Sequence, residues 1–335
     1  MPSDSLVNIN VDFDRPGKQF GHLSVPRSTN SAGWANYFIP VTVIRNGDGP
    51  TAVLSGGNHG DEFEGPVTLM NLARRLLPEQ INGRVILIPM LNKPAVIAGT
   101  RLSPLDGMNM NRAFPGRSDG TITSMIADFV TQVILPMADL VVDIHSGGSS
   151  MQFLPSVNMH NVGDREQMRQ MVDAGRAWGA PYVLIYEDVA GGGLLPSQAE
   201  SMGKVTLGTE LGSKSQFGPK ILEIAKHGVE RVLHWQGILR ARPTAAVTDD
   251  PAVVAADDTD DYVMAPATGL YEPFFELGDS VEAGQPLGQI HNIEHPDRDP
   301  EIVRAETSGI LICRRAIPIT AQGECVGVLV RPFEL

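Results

Sequence analysis

The chain has 335 residues, of which 42% are hydrophobic and 19% charged, and a formal net charge of −13. This composition suits an ordinary globular protein with one large domain or two smaller ones, and the acidic balance argues against a nucleic-acid partner or an anionic membrane surface. Two cysteines, Cys313 and Cys325, make no disulfide framework and no CxxC motif. No run approaches the roughly 18 apolar residues of a membrane span, and the opening segment lacks a basic-then-apolar leader, so a cytoplasmic protein is expected.

Through residues 1–240, short apolar, β-branched runs alternate with longer stretches of helical periodicity. Strands are predicted at 39–45, 51–56, 84–91, 140–145, 182–186 and 204–211, and helices at 66–77, 121–138, 164–178 and 218–239. Such alternation implies an α/β domain with a largely parallel or mixed sheet, whose ligands bind beyond the carboxyl ends of the strands. Residues 241–261, with six Asp among Ala and Pro, read as an acidic linker. Residues 262–335 then read as short glycine-punctuated strands, a small all-β, barrel-like module of biotinyl/lipoyl rhythm. A swinging-arm carrier needs an acceptor lysine, and residues 241–335 contain none.

The chemistry gathers where strands end. After the run at 51–56 comes Asn58-His59-Gly60-Asp61-Glu62, with His59 and Glu62 three apart at a loop-to-helix junction, so that both can face one side. After the run at 140–145 comes His145, followed by Ser146-Gly147-Gly148. Strand alternation places Asp143 on the same face as His145, where its carboxylate can orient an imidazole, His59 or His145. A His-x-x-Glu pair alone is a common accident; its coincidence with a strand-end histidine suits a zinc site of two nitrogens and one oxygen. Asp61 and Glu64 are read as facing away. His160 is the remaining competitor for a ligand role.

A metal-dependent hydrolase also needs a proton-transfer group, and Glu210 ends the apolar run KVTLGTEL between Gly208 and Gly212. The segment 99–116 is long and glycine-bounded, and it carries Arg101, Asn111 and Arg112, which suit carboxylate recognition or oxyanion stabilisation. The glycine-rich stretch 186–201 offers Glu187, Asp188 and Glu200 but no Lys or Arg.

Taken in order, NHGDEFEG, NMNR, DIHSG and TELG resemble the succinylglutamate desuccinylase/aspartoacylase family, relatives of the zinc carboxypeptidases. The resemblance covers roughly residues 35–240, and the C-terminal β-module fits the family's appended domain. It implies a zinc-carboxypeptidase-like mixed sheet flanked by helices, one Zn²⁺ per chain on His59, Glu62 and His145, and Glu210 as general base and acid. It further implies that Asn111 and Arg112 hold the substrate α-carboxylate, that Arg101 polarises the scissile carbonyl, and that a C-terminal tyrosine, Tyr271, lies near the substrate. The implied partner is a small N-acyl amino acid, with self-association left open. The fuller run GTRLSPLDGMNMNRAFPGRSDGT resembles those members that deacetylate N-α-acetyl-L-2,4-diaminobutyrate in ectoine degradation. A desuccinylase or aspartoacylase, a metallocarboxypeptidase and a non-enzymatic binding protein of the same fold are the alternatives.

Overall fold

A computed structural model describes residues 5–187, 191–244 and 250–334 of the chain. At its centre, Gly83–Ile88, Thr51–Gly56, Leu140–Ile144 and Val205–Glu210 lie side by side as parallel strands. All the residues in these strands are buried except Arg84 and Glu210, which are half-buried. Such strands are covered on both faces, which explains their near-continuous apolar sequence. Alternation sorts their side chains. Leu54, Leu87 and Val142 pack under the helices Glu64–Arg75, Arg165–Trp178 and Pro219–Trp235. Val53, Ile86 and Val141 face Ile122–Phe129 and Leu195–Ser201.

The sheet continues on both sides. A long antiparallel hairpin, Gly17–Thr29 with Ala32–Asn46, joins through Gly83–Ile88. On the other side Ser156–His160 pairs antiparallel with Val205–Glu210, and Tyr182–Tyr186 and Ala252–Ala256 follow in parallel. The periodicity at 121–138 resolves into the α-helix Ile122–Phe129, a wider turn over Val130–Ile134 and a tight turn over Leu135–Met137.

The segment read as an acidic linker requires a correction. Ala252–Ala256 is a strand of the main sheet, paired with Tyr182–Tyr186 on one side and with Cys325–Pro332 on the other. The alternation Val253-Val254-Ala255-Ala256 is short enough to be hidden by the flanking aspartates. Beyond it, Gly269–Pro273, Pro286–His291, Glu301–Arg304 and Ile319–Thr320 form a separate antiparallel sheet, the small C-terminal β-module. Its core contains Tyr271, Leu287, Ile290, Val303 and Leu329. No helix among the described residues is long and apolar enough to cross a membrane.

Candidate active site

Because Thr51–Gly56, Leu140–Ile144 and Val205–Glu210 are parallel, their carboxyl ends meet at one edge. Gly56 pairs with Ile144, and Leu211 N donates to His145 O at 3.2 Å, so the residues following each strand lie level with one another. The turn after Gly56 passes so close to the helix Lys93–Ala98 that a Cβ on Gly60 would overlap the Ala95 carbonyl. Gly60 N also donates to Thr100 O at 3.0 Å, which fixes this turn beside Arg101.

At this edge Glu62 lies between two imidazoles: its Oε1 is 2.8 Å from His59 Nδ1 and its Oε2 is 2.8 Å from His145 Nδ1. The ligand atoms of His59, Glu62 and His145 all fall within 4.8 Å of one another, and all three residues are buried. Each imidazole's other nitrogen is held by an oxygen, His59 Nε2 by Asn109 Oδ1 at 3.1 Å and His145 Nε2 by Asp143 Oδ2 at 2.6 Å. Two nitrogens and a carboxylate oxygen, each oriented from behind, fit a zinc-type donor set. Asp143 thus orients His145, while Asn109 was not singled out from sequence. Asp143 also accepts from Ser55 Oγ at 2.7 Å and Asn58 Nδ2 at 2.9 Å.

The charges follow from this packing. Burial opposes ionisation of Glu62, but the two imidazoles outweigh it and hold the carboxyl well below its usual range. Burial also opposes protonation of His145, and here the carboxylates of Asp143 and Glu62 raise it well above an ordinary imidazole. For His59 burial wins and the pKa is lowered. Glu210 is pushed up to about 8 by burial and by the charge of Glu62; its Oε2 is buried and has no hydrogen-bond partner among the described residues. Glu64 is pushed up to about 7 by burial.

A cavity of about 210 Å³ opens over this edge, and His59, His145, Arg101, Asn111, Arg112 and Glu210 line it. Arg101 Nη1 lies 3.3 Å from His59 Nδ1 and 3.6 Å from Glu62 Oε1. Asn111 Oδ1 accepts from Leu195 N at 2.9 Å and Arg112 Nη1 donates to Asn111 O at 2.6 Å, so the 109–112 turn is stitched to the start of the helix Leu195–Ser201.

Several expectations are corrected. Tyr271 is 5% exposed and lies inside the C-terminal module, its hydroxyl 3.4 Å from Leu287 O, so it cannot face a substrate. The C-terminal side chains that line the cavity are Tyr262 and Val328. Tyr262 Oη donates to Glu187 O at 3.2 Å. Asp61 stays outside the His59, Glu62 and His145 cluster but is structural: it is buried, and its Oδ2 accepts from Ser149 N at 2.8 Å, tying the turn after Gly56 to the loop after His145. Glu64 is likewise outside that cluster and buried. His160 lies apart from the His59, Glu62 and His145 cluster, with Nδ1 2.6 Å from Glu200 Oε2. Of the three acidic candidates in 186–201, Glu187 lines the cavity, Glu200 is engaged with His160, and Asp188 lies outside the described residues.

The profile of the succinylglutamate desuccinylase/aspartoacylase catalytic domain matches residues 48–235. The chain is 38% identical, over 98% of its length and 96% of the relative's, to N-alpha-acetyl-L-2,4-diaminobutyric acid deacetylase of Halomonas elongata. A crystal structure of a succinylglutamate desuccinylase/aspartoacylase from Rhodobacter sphaeroides superimposes with a TM-score of 0.93 at 39% identity, covering 98% of this chain and 100% of the other. The product-bound structure of the ectoine utilization protein EutE (DoeB) from Ruegeria pomeroyi also gives 0.93, at 38% identity, covering 97% and 98%.

Proposed function

This chain belongs to the succinylglutamate desuccinylase/aspartoacylase family, and on that premise we propose that it is a zinc-dependent amidohydrolase that cleaves N-α-acetyl-L-2,4-diaminobutyrate to acetate and L-2,4-diaminobutyrate. The observation that carries the reading is the meeting, at the ends of parallel strands, of the His59, Glu62 and His145 donor set with a carboxylate whose Oε2 is buried and unpartnered, in a cavity that also holds two arginines.

His59, Glu62 and His145 would hold one Zn²⁺ per chain. When bound, the ion supplies Lewis-acid polarisation of a carbonyl and acidification of water. Glu210 Oε2 accepts a proton from the attacking water and returns it to the leaving nitrogen, so that one carboxylate serves as base and then acid. Arg101, beside His59 and Glu62, stabilises the negative charge that develops on the carbonyl oxygen. Arg112 and Asn111 Nδ2 hold the substrate α-carboxylate, the Oδ1 of Asn111 being committed to Leu195 N. Tyr262 and Val328 wall the cavity from the C-terminal side, which supports a small substrate over a peptide.

The test is acetate release from N-α-acetyl-L-2,4-diaminobutyrate by the metal-loaded protein, with N-acetyl-L-aspartate and N-succinyl-L-glutamate alongside. Turnover of the diaminobutyrate substrate with little on the two dicarboxylates is the expected result. Preference for a dicarboxylate would overturn the substrate assignment and leave the family chemistry standing.

A further inference from the structure

The floor of the cavity carries a polar group that the hydrolytic steps above do not use. Val205–Glu210, Ser156–His160 and Tyr182–Tyr186 run side by side there, with Gly208 opposite Asn158 and Asn158 opposite Leu184. Alternation puts Ser156, Asn158 and His160 on one face. His160 is held by Glu200, but no side-chain hydrogen bond to Asn158 occurs among the described residues. A Cβ on residue 208 would overlap Asn158 Oδ1. The neighbouring strand is therefore bare at the one position that lets this amide lie flat across the floor. On its other side is the apolar Leu184, and the nearby wall includes Phe153 and Val328. Asn158 is half-buried, so a ligand entering the cavity can take its amide without displacing a protein partner.

Charge indicates what that partner is. The cations lining the cavity, Arg101 and Arg112, come from the 99–112 segment, and the Ser156–His160 and Tyr182–Tyr186 strands bring none. Instead Glu187, the residue after Tyr182–Tyr186, lines the same cavity. Its backbone is pinned on both sides, Glu187 N donating to Ala256 O and Tyr262 Oη donating to Glu187 O, each at 3.2 Å. An amide oxygen and a carboxylate on one cavity wall, with no cation from these strands, are chemically complementary to an ammonium group.

Resting on the deacylase reading above, we propose that Asn158 and Glu187 select the amino-acid half of the substrate by its distal ammonium, Glu187 supplying the charge and Asn158 Oδ1 accepting an N–H. The substrate class is then N-acyl amino acids with a short cationic side chain.

The experiment compares kcat/KM on N-α-acetyl-L-2,4-diaminobutyrate with that on N-α-acetyl-L-norvaline, in which a methyl replaces the ammonium. It is paired with calorimetric binding of free L-2,4-diaminobutyrate and L-norvaline to the metal-loaded protein. Wild type is expected to favour the ammonium compound in both measurements. Asn158→Leu and Glu187→Gln are each expected to reduce that preference by about tenfold or more, whereas the isosteric Asn158→Asp keeps or increases it. Equal losses on both compounds, or an unchanged preference, would overturn the proposal. If wild type hydrolyses neither compound the deacylase reading fails, and the binding preference alone then decides the ammonium site.

Discussion

Asp143 shows how much of the site depends on one side chain that touches no substrate. It is fully buried, and its two oxygens serve Ser55, Asn58 and His145 at once. Burial alone would raise its pKa, yet His145 and these hydrogen bonds hold it below the usual carboxylate range. Asp143→Asn keeps the shape and removes the charge that raises His145. We expect metal affinity to fall about 10–100-fold, as for other groups that orient a ligand, measured by competition with a chromophoric chelator; unchanged affinity would show that Asp143 only packs. Glu210 gives a pH signature. Its folded value of about 8 lies above the roughly 4.3 of an unfolded glutamate. Between these values the folded state keeps a proton that the unfolded state has lost, so stability is full below the unfolded value and is lost as pH rises through about 8. The metal-free wild type should therefore lose several degrees more in Tm between about pH 6 and about pH 9 than metal-free Glu210→Gln. Parallel curves would contradict it.

At this scale the sequence was most legible where residue type and strand end coincided. His59, Glu62, His145 and Glu210 each follow or close an apolar run, and they converge because those runs are parallel neighbours. Tyr271 was misplaced for a physical reason: alternation within a strand tells two faces apart but not which one is inward, and Tyr271 faces the module's own core. Asn109 carries no signal of its own, since its role depends on where the 109–112 turn lands beside His59.

Among elements, the turn between Thr51–Gly56 and Glu64–Arg75 illustrates a backbone constraint that residue chemistry does not reveal. Gly60 is required because the turn is pressed against Ala95, while its N–H reaches the residue preceding Arg101. Gly60→Ala is expected to destabilise the fold by about 1–3 kcal/mol through overpacking and to weaken metal binding as the turn shifts. Denaturant unfolding together with metal titration would check both, and a variant with wild-type values would show that the turn has slack. The strand Ser156–His160 is one of the elements that periodicity missed, as were Gly17–Thr29 and Ala252–Ala256, and the reason is instructive. One of its faces carries Ser156, Asn158 and His160, of which Asn158 lines the cavity, so the alternation that would announce a strand is polar on that face. Departures of this kind are expected where a sequence serves a site as well as a core.

For the molecule as a whole, the C-terminal module is joined to the catalytic sheet through backbone pairing. Cys325–Pro332 pairs with Ala252–Ala256, and Gly309–Arg315 pairs with Met151–Phe153. The compositional break near residue 241 suggested separable units because charge is local in sequence, whereas these pairings are distant in it. One cooperative unfolding transition by calorimetry is therefore expected for the metal-loaded chain; two resolved transitions would show that the module folds independently.

The proposed chemistry needs a metal held by His59, Glu62 and His145 and a proton carried by Glu210. The most direct test measures metal content and acetate release from N-α-acetyl-L-2,4-diaminobutyrate on the same preparations of wild type and Glu210→Gln, before and after chelation. The account predicts one metal per chain in both proteins, turnover in wild type alone, and its loss on chelation. Turnover that survives chelation, or persists in Glu210→Gln at the wild-type rate, would contradict it.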